Sequence, residues 1–215
     1  SYSRLMMWPA THGAVFLAHV GRVDGASPRL TLANARFGLE PATLSVIGNI
    51  TLLDPPGLTA LFCSHRLPAE LILPTYDLAR DLRDTGVPVI GGFHAPMERE
   101  ALRFLMRGTQ PVIHVPARGL EGMRLSREQR KAIEAGRLLI LSPFTATESR
   151  LAAARNLLVG ALAERVLVIY SLPGGALEAS VKQFLAWGMP VWALPGEANA
   201  RLLQWGAAPC DPGAL

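Results

Sequence analysis

Short apolar runs alternate with longer amphipathic stretches along most of the chain, from about residue 57 onward. The runs are continuous rather than alternating, a pattern typical of strands whose two faces are both covered by helices. They predict strands at residues 58–63, 87–91, 111–115, 137–141, 166–170 and 190–194. The stretches beside them predict helices at residues 68–84, 96–107, 126–135, 148–163, 176–187 and 199–205. This alternation predicts the α/β class, with an open, mostly parallel sheet and helices on both faces.

The first part of the chain follows a different pattern. Short apolar runs at residues 14–20, 29–33 and 43–47 are separated by turn-rich stretches such as 24–28. These runs predict a few short strands that extend one edge of the sheet. We therefore expect a short N-terminal β-rich extension, to which the sequence assigns no role.

Composition narrows the class of protein further. Half of the 215 residues are hydrophobic and 18% are charged, so disorder is excluded as the main state. No run reaches the roughly 18 apolar residues that a membrane helix needs, so we expect no membrane association. The formal net charge of +4 permits a polyanionic partner without requiring one. The two cysteines, Cys63 and Cys210, form no Cys-x-x-Cys pair and favour a reducing, cytoplasmic location.

Ligands of such sheets bind outside the carboxyl ends of the strands, where loops lead into helix N-termini. In this sequence those loops combine glycines, small residues and a few cations. Glycines let backbone N–H groups approach a phosphate, and an arginine can clamp it. The candidate phosphate-binding or nucleic-acid-binding residues are Ser64, His65, Arg66, Gly91, Gly92, Phe93, His94, Arg118, Arg155, Asn156, Gly174 and Gly175.

Several of these residues have a plainer interpretation. Arg155 has acidic neighbours with which it could form a surface ion pair, whereas Asn156 is a poor helix former between apolar residues, which favours a ligand-facing role. Phe93 could stack on a base or seal the edge of the core, and His114 reads as a packed core histidine. The pair Cys63-x-His65 lacks further ligands at suitable spacing, so we expect no metal. The absence of Gly-x-Gly-x-x-Gly and Walker A motifs disfavours dinucleotide oxidoreductases and P-loop enzymes.

Several motifs, in order, carry a resemblance to a known family. Cys63-Ser64-His65-Arg66 follows the first predicted strand of the main domain, and Gly91-Gly92-Phe93-His94-Ala95-Pro96-Met97-Glu98 follows the next one. Arg155-Asn156, Ala193-Leu194-Pro195-Gly196 and Gly206-Ala207 come later in the chain. Together they resemble DNA-processing protein A (DprA, also called Smf), within the SLOG group of Rossmann-like proteins. The resemblance covers residues 48–208, so we divide the chain into an extension at 1–47 and a Rossmann-like domain at 48–215.

The resemblance implies a non-catalytic protein that binds single-stranded DNA through its phosphates and takes part in DNA uptake and recombination, with RecA as a partner. It implies no cofactor, and it leaves open whether the protein forms a homodimer. Accessory domains of the family lie before and after its Rossmann-like domain, and we expect neither of them within these 215 residues. Arg66, Gly92, Arg155 and Asn156 match the family's pattern. The chain is divergent elsewhere: Ser64 stands in place of a glycine, and Glu98 in place of an aspartate.

A second resemblance supports an enzyme. The stretch from Leu172 to Glu178, with Gly174 and Gly175, is similar to a loop of the lonely-guy (LOG) nucleoside 5′-monophosphate phosphoribohydrolases. That resemblance implies cleavage of an N-glycosidic bond by Glu178 and Arg155. A nucleotide would then be the ligand in place of DNA. A third hypothesis is a degenerate SLOG protein that acts as an interaction module.

Overall fold

One mixed sheet holds the molecule together. The computed structural model describes residues 4–6, 18–21, 29–30, 44–144 and 151–210. The strands in these residues are β1 (Arg4–Met6), β2 (Ala18–Gly21), β3 (Leu44–Ile47), β4 (Thr59–Cys63), β5 (Val89–Gly91), β6 (Val112–His114), β7 (Leu138–Ser142), β8 (Arg165–Tyr170), β9 (Val191–Ala193) and β10 (Ala208–Pro209). The α-helices are α1 (Ile72–Thr85), α2 (Pro96–Leu105), α3 (Arg127–Glu134), α4 (Leu151–Leu162), α5 (Ala176–Ala186) and α6 (Ala200–Gln204).

The order of the strands reverses once, and this reversal positions the candidate site. The sheet runs β1-β2-β3-β7-β6-β5-β4-β8-β9-β10, and all pairs from β7 to β10 are parallel. From β4 the chain builds outward to β7, and α4 then carries it back to β8 on the other side of β4. The predicted α/β class is confirmed. The switch point between β4 and β8 is where sheets of this kind leave a crevice for ligands.

The N-terminal strands extend the sheet beyond β7. Strands β1, β2 and β3 pair antiparallel, and β3 pairs antiparallel with β7. This agrees with the predicted β-rich extension at a sheet edge. Within that extension, Arg29 and Leu30 are helical rather than extended, and Arg4–Met6 forms a strand that the apolar pattern did not predict.

Both faces of the parallel sheet are buried, which explains its uninterrupted apolar strands. Along β4, Ala60 and Phe62 point into one hydrophobic cluster, and Leu61 and Cys63 point into the other. The first cluster also contains side chains of α4, α5 and α6, and the second contains side chains of α1, α2 and α3. Helices therefore cover both faces, as predicted.

A glycine allows α4 and α5 to pack closely. A Cβ at Gly160 would lie 2.2 Å from Cε1 of Phe184, so only glycine leaves room for that ring. The ring of Phe184 in turn stacks on Phe62, with centroids 5.5 Å apart. This packing fixes α4 above the centre of the sheet, and α4 carries Arg155.

The helix boundaries follow from local signals in the sequence. Gly86 has a φ of +73° at the end of α1, the left-handed conformation that glycine adopts at helix C-termini. Ser126 caps α3 by accepting the N–H of Gln129, whose side chain accepts the N–H of Ser126 in return. Pro96 occupies the first turn of α2. No helix in the described part of the chain is long and apolar enough to cross a membrane.

Candidate functional site

The loops after β4 and β8 are tied together at the switch point. Ser64 donates its backbone N–H to the carbonyl of Tyr170 over 2.8 Å. Its hydroxyl oxygen accepts the N–H of Leu172, also over 2.8 Å. Ser64, predicted from the loop pattern, therefore joins the two strands between which the sheet reverses.

A buried carboxylate joins the loops after β4 and β5. Glu98, in the first turn of α2 and only 4% exposed, accepts the N–H of Cys63 at 2.9 Å through Oε1. Its Oε2 accepts the N–H groups of His94 at 2.8 Å and Ala95 at 3.2 Å. Burial raises the pKa of Glu98 above its ordinary value, although these donors and the charge of Arg155 favour the ionised form. Glu98 thus occupies backbone donors that an anionic ligand would otherwise use.

Arg155 projects from α4 onto the loop after β5. A Cβ at Gly92 would lie 1.6 Å from Nη1 of Arg155, so the guanidinium rests directly on the glycine backbone. Arg155 is 6% exposed, and its Nε donates to Oδ1 of Asn156 over 2.8 Å. Its Nη1 is buried without a hydrogen-bond partner in the described residues. Burial lowers the pKa of Arg155, while the charge of Glu98 opposes that shift; a guanidinium stays charged nonetheless.

Phe93 turns inward from the same loop. Its backbone has a φ of +46°, and its side chain is 4% exposed. The ring meets the ring of His114 edge to face, with centroids 5.8 Å apart, and a Cβ at Gly91 would approach it to 3.1 Å. The structure therefore places Phe93 in the core, where its ring seals the sheet edge.

His114 lies beneath this loop, at the end of β6. Its Nδ1 is buried without a hydrogen-bond partner among the described residues. Burial lowers the pKa of His114 to about 4; a hydrogen bond with the Gly92 backbone opposes this shift, and the positive charges of Arg155 and Arg118 add to it. At neutral pH His114 is therefore uncharged.

Three candidate side chains reach solvent at this edge. His65, Arg66 and His94 are all exposed. The rings of His65 and His94 face each other across the two loops, with centroids 6.1 Å apart. Arg118 is also exposed, in the loop after β6, and its carbonyl accepts the Ser142 hydroxyl over 2.6 Å.

The glycine loop after β8 is a tight turn closed by a second carboxylate. Gly174 has a φ of +74°, and Gly175 donates its N–H to the carbonyl of Leu172 over 2.9 Å, the geometry of a type II turn. Glu178, 5% exposed, accepts the N–H of Gly174 over 2.8 Å. Its other oxygen lies 3.4 Å from Nε of Arg201. The carboxylate suggested for N-glycoside cleavage is thus engaged in holding its own loop.

A further residue that sequence reasoning missed holds the ends of β8 and β9. The side chain of Asn199 is buried and donates to the carbonyls of Ile169 and Leu194, each over 2.9 Å. Its oxygen accepts the N–H of Ser171 over 3.4 Å. Glu98 was also missed as a site residue, although a Glu three residues after a helix cap is a recognisable sequence signal. For Asn199 we find no such signal.

The described residues contain no cluster of three or more His, Cys, Asp or Glu side chains that could hold a metal ion.

Comparison with known protein families identifies the family to which the chain belongs. The family model of DNA recombination-mediator protein A matches residues 28–208, which is most of the chain. The chain belongs to this family. The match confirms the resemblance to DprA, and it begins upstream of residue 48, so that it includes β3. No curated protein sequence matches the chain.

Solved structures of the DprA family share the fold. DprA from Streptococcus pneumoniae is 19% identical with a TM-score of 0.68, over 83% of this chain and 67% of its own. DprA from Helicobacter pylori, whose structure concerns its single-stranded DNA binding mode, is 23% identical with a TM-score of 0.68, over 82% of this chain and 85% of its own. The molybdenum cofactor carrier protein of Chlamydomonas reinhardtii shares the fold more distantly, at 14% identity and a TM-score of 0.51, over 74% of this chain and 92% of its own.

Proposed function

We propose that the chain binds single-stranded DNA, or the phosphate of a nucleotide, where β4, β5 and β8 end. The observation that carries this proposal is the buried guanidinium of Arg155, whose Nη1 has no hydrogen-bond partner in the described residues. An unpaired buried donor is costly, and more so on a charged group. An anion that reaches this guanidinium through the adjoining loops would offset that cost.

Family membership supports the same ligand. The Helicobacter pylori relative binds single-stranded DNA, and Arg66, Gly92, Arg155 and Asn156 match the pattern that DprA proteins carry. The edge also lies at the topological switch point, the ordinary ligand position of such sheets. DNA is therefore favoured over a small nucleotide as the natural ligand.

The buried carboxylates of Glu98 and Glu178 affect which groups are left to bind phosphate. Glu98 already accepts the N–H groups of His94 and Ala95, and Glu178 accepts that of Gly174. The backbone of the two glycine loops is thus partly saturated, so the phosphates meet mainly cationic side chains. Arg66 is the exposed cation at this edge that matches the family, and Arg155 supports it from below.

Titration of a fluorescent thymidine oligonucleotide at several salt concentrations tests this proposal. On single strands, log K falls by about 0.7 per unit of log salt for each phosphate neutralised. Arg66→Ala is expected to weaken binding and to reduce the slope by about 0.7. The matched control is Arg103→Ala, which removes an exposed arginine from the last turn of α2, where it pairs with nearby Glu100. Absence of binding even at low salt, or equal effects of the two variants, would overturn the proposal.

The biological setting comes from the family. We propose that the DNA-bound protein acts in recombination, including DNA uptake during natural transformation, and that RecA is its partner. This would appear as faster assembly of RecA on a long single strand, and Arg66→Ala would lose the effect. If Arg66→Ala still accelerated RecA assembly, that activity would not depend on the DNA site described above.

A further inference from the structure

We propose that His65 and His94 form a clamp that holds one nucleobase of the bound strand between their rings. This inference rests on the proposed function and adds base contact to phosphate contact at the same edge. It assigns a role to two exposed histidines that come from different loops and face each other.

The spacing of the two rings suits a stacked guest. Their centroids are 6.1 Å apart and their planes meet at 42°. A flat base between two rings needs about 3.5 Å on each side, or about 7 Å in total. The rings must therefore separate by about 1 Å and turn towards parallel, a small adjustment for exposed side chains that change rotamer within nanoseconds.

The backbone beneath the clamp is held by one group. The Glu98 carboxylate accepts the N–H of Cys63, two residues before His65, and the N–H of His94 itself. The two loops are therefore tied to each other, and the exposed rings lie above this shared anchor. Such preorganisation limits the entropy lost when a base binds.

At this edge the rings available to stack on a base are those of the two histidines, because the phenylalanine of these loops is buried. Single-strand binders commonly stack bases on aromatic side chains, including histidine. Phe93, the obvious ring in these loops, is buried against His114. Arg66 follows His65 directly and is exposed, so it can reach the phosphate next to a clamped base.

The test compares a thymidine oligonucleotide with an abasic strand of the same length. The two strands carry the same phosphates, so a difference in affinity reports base contact. We expect the unmodified protein to prefer the thymidine strand by about tenfold. His65→Ala and His94→Ala should each remove most of that preference, while the control Arg103→Ala keeps it.

Phenylalanine variants separate stacking from charge. His65→Phe and His94→Phe keep a ring that stacks on a base, so they should retain the preference for the thymidine strand. If instead the phenylalanine variants lose affinity for both strands equally, the histidines act on phosphate and the clamp is wrong. Equal binding of both strands by the unmodified protein would also refute the clamp, while leaving the phosphate site intact. Failure to bind either strand would remove the proposed function and the clamp together.

Discussion

Replacing Gly92 by alanine is the sharpest test of how Arg155 is seated. The new Cβ would stand 1.6 Å from Nη1, 2.1 Å from Cζ and 2.7 Å from Nε of Arg155. Carbon and nitrogen atoms in contact stay roughly 3.5 Å apart, so the guanidinium must retreat by about 2 Å. Gly92 is not among the glycines with positive φ, so alanine brings no backbone strain. The steric clash alone therefore decides the outcome.

The cost follows from overpacking in a buried site. Extra atoms in a packed interior cost about 1–3 kcal/mol. For a chain of this size, each 1 kcal/mol lowers the melting temperature by about 2–4 °C. We therefore expect Gly92→Ala to melt about 2–12 °C below the unmodified protein in a thermal scan followed by circular dichroism.

A double-mutant cycle isolates the cause. Arg155→Ala alone is expected to cost about 1–3 kcal/mol, because it removes the hydrogen bond to Asn156 and the charge that favours the ionised form of Glu98. In that background the clash no longer exists, and Gly92→Ala should become neutral or stabilise by a few tenths of a kcal/mol through the unfolded state. The two single substitutions should therefore be strongly non-additive. Costs that add would show that Arg155 does not rest on Gly92, and the proposed anion site would lose its support.

Two other predictions concern His114 and Glu178. Because burial lowers the pKa of His114 from 6.5 to about 4, the unfolded chain takes up a proton at a pH where the folded chain does not. The free energy of unfolding should therefore fall by about 2 kcal/mol as the pH is lowered from about 7.5 to 5. In urea unfolding, His114→Leu should abolish that part of the loss. An unchanged pH dependence in this variant would contradict the prediction. Glu178→Ala should lower the free energy of unfolding by about 1–2 kcal/mol, because it leaves the N–H of Gly174 without its acceptor. Hydrolysis of 5′-AMP by the unmodified protein, lost in Glu178→Ala, would instead support the enzyme hypothesis.

The parallel part of the fold was predictable because each signal there is local. In β4 every residue from Thr59 to Cys63 is buried, so the apolar run from Ala60 to Cys63 is uninterrupted and is visible in the sequence. Helix ends were marked by residues such as Gly86, which adopts a positive φ. Strand β1, at Arg4–Met6, has only three residues and pairs through its backbone with β2. That pairing sets Arg4 against Val20, a contact between distant residues that no local pattern in the sequence specifies.

The candidate site was predictable only in outline. The sequence locates the strand-end loops, and it therefore predicts Ser64 and Gly92 as site residues. What the loop pattern could not reveal is that Phe93 folds inward, because that depends on its backbone φ of +46° and on the room beside Gly91. It also could not show that Glu98 reaches three N–H groups from two loops. Such contacts join residues from separate strands and exist only once the sheet has formed.

Glu98 and Glu178 point to a common design of the two glycine loops. Each lies in the first turn of its helix and folds back onto the loop that precedes it. A carboxylate at a helix N-terminus is favoured by the helix dipole and uses the donors that bind phosphate in other sheets of this kind. These hydrogen bonds tie both loops to their helices, so in the proposed site phosphate would depend on cations such as Arg66. Binding that depends on side-chain cations is highly sensitive to salt, and this is the property by which the site is best recognised in solution.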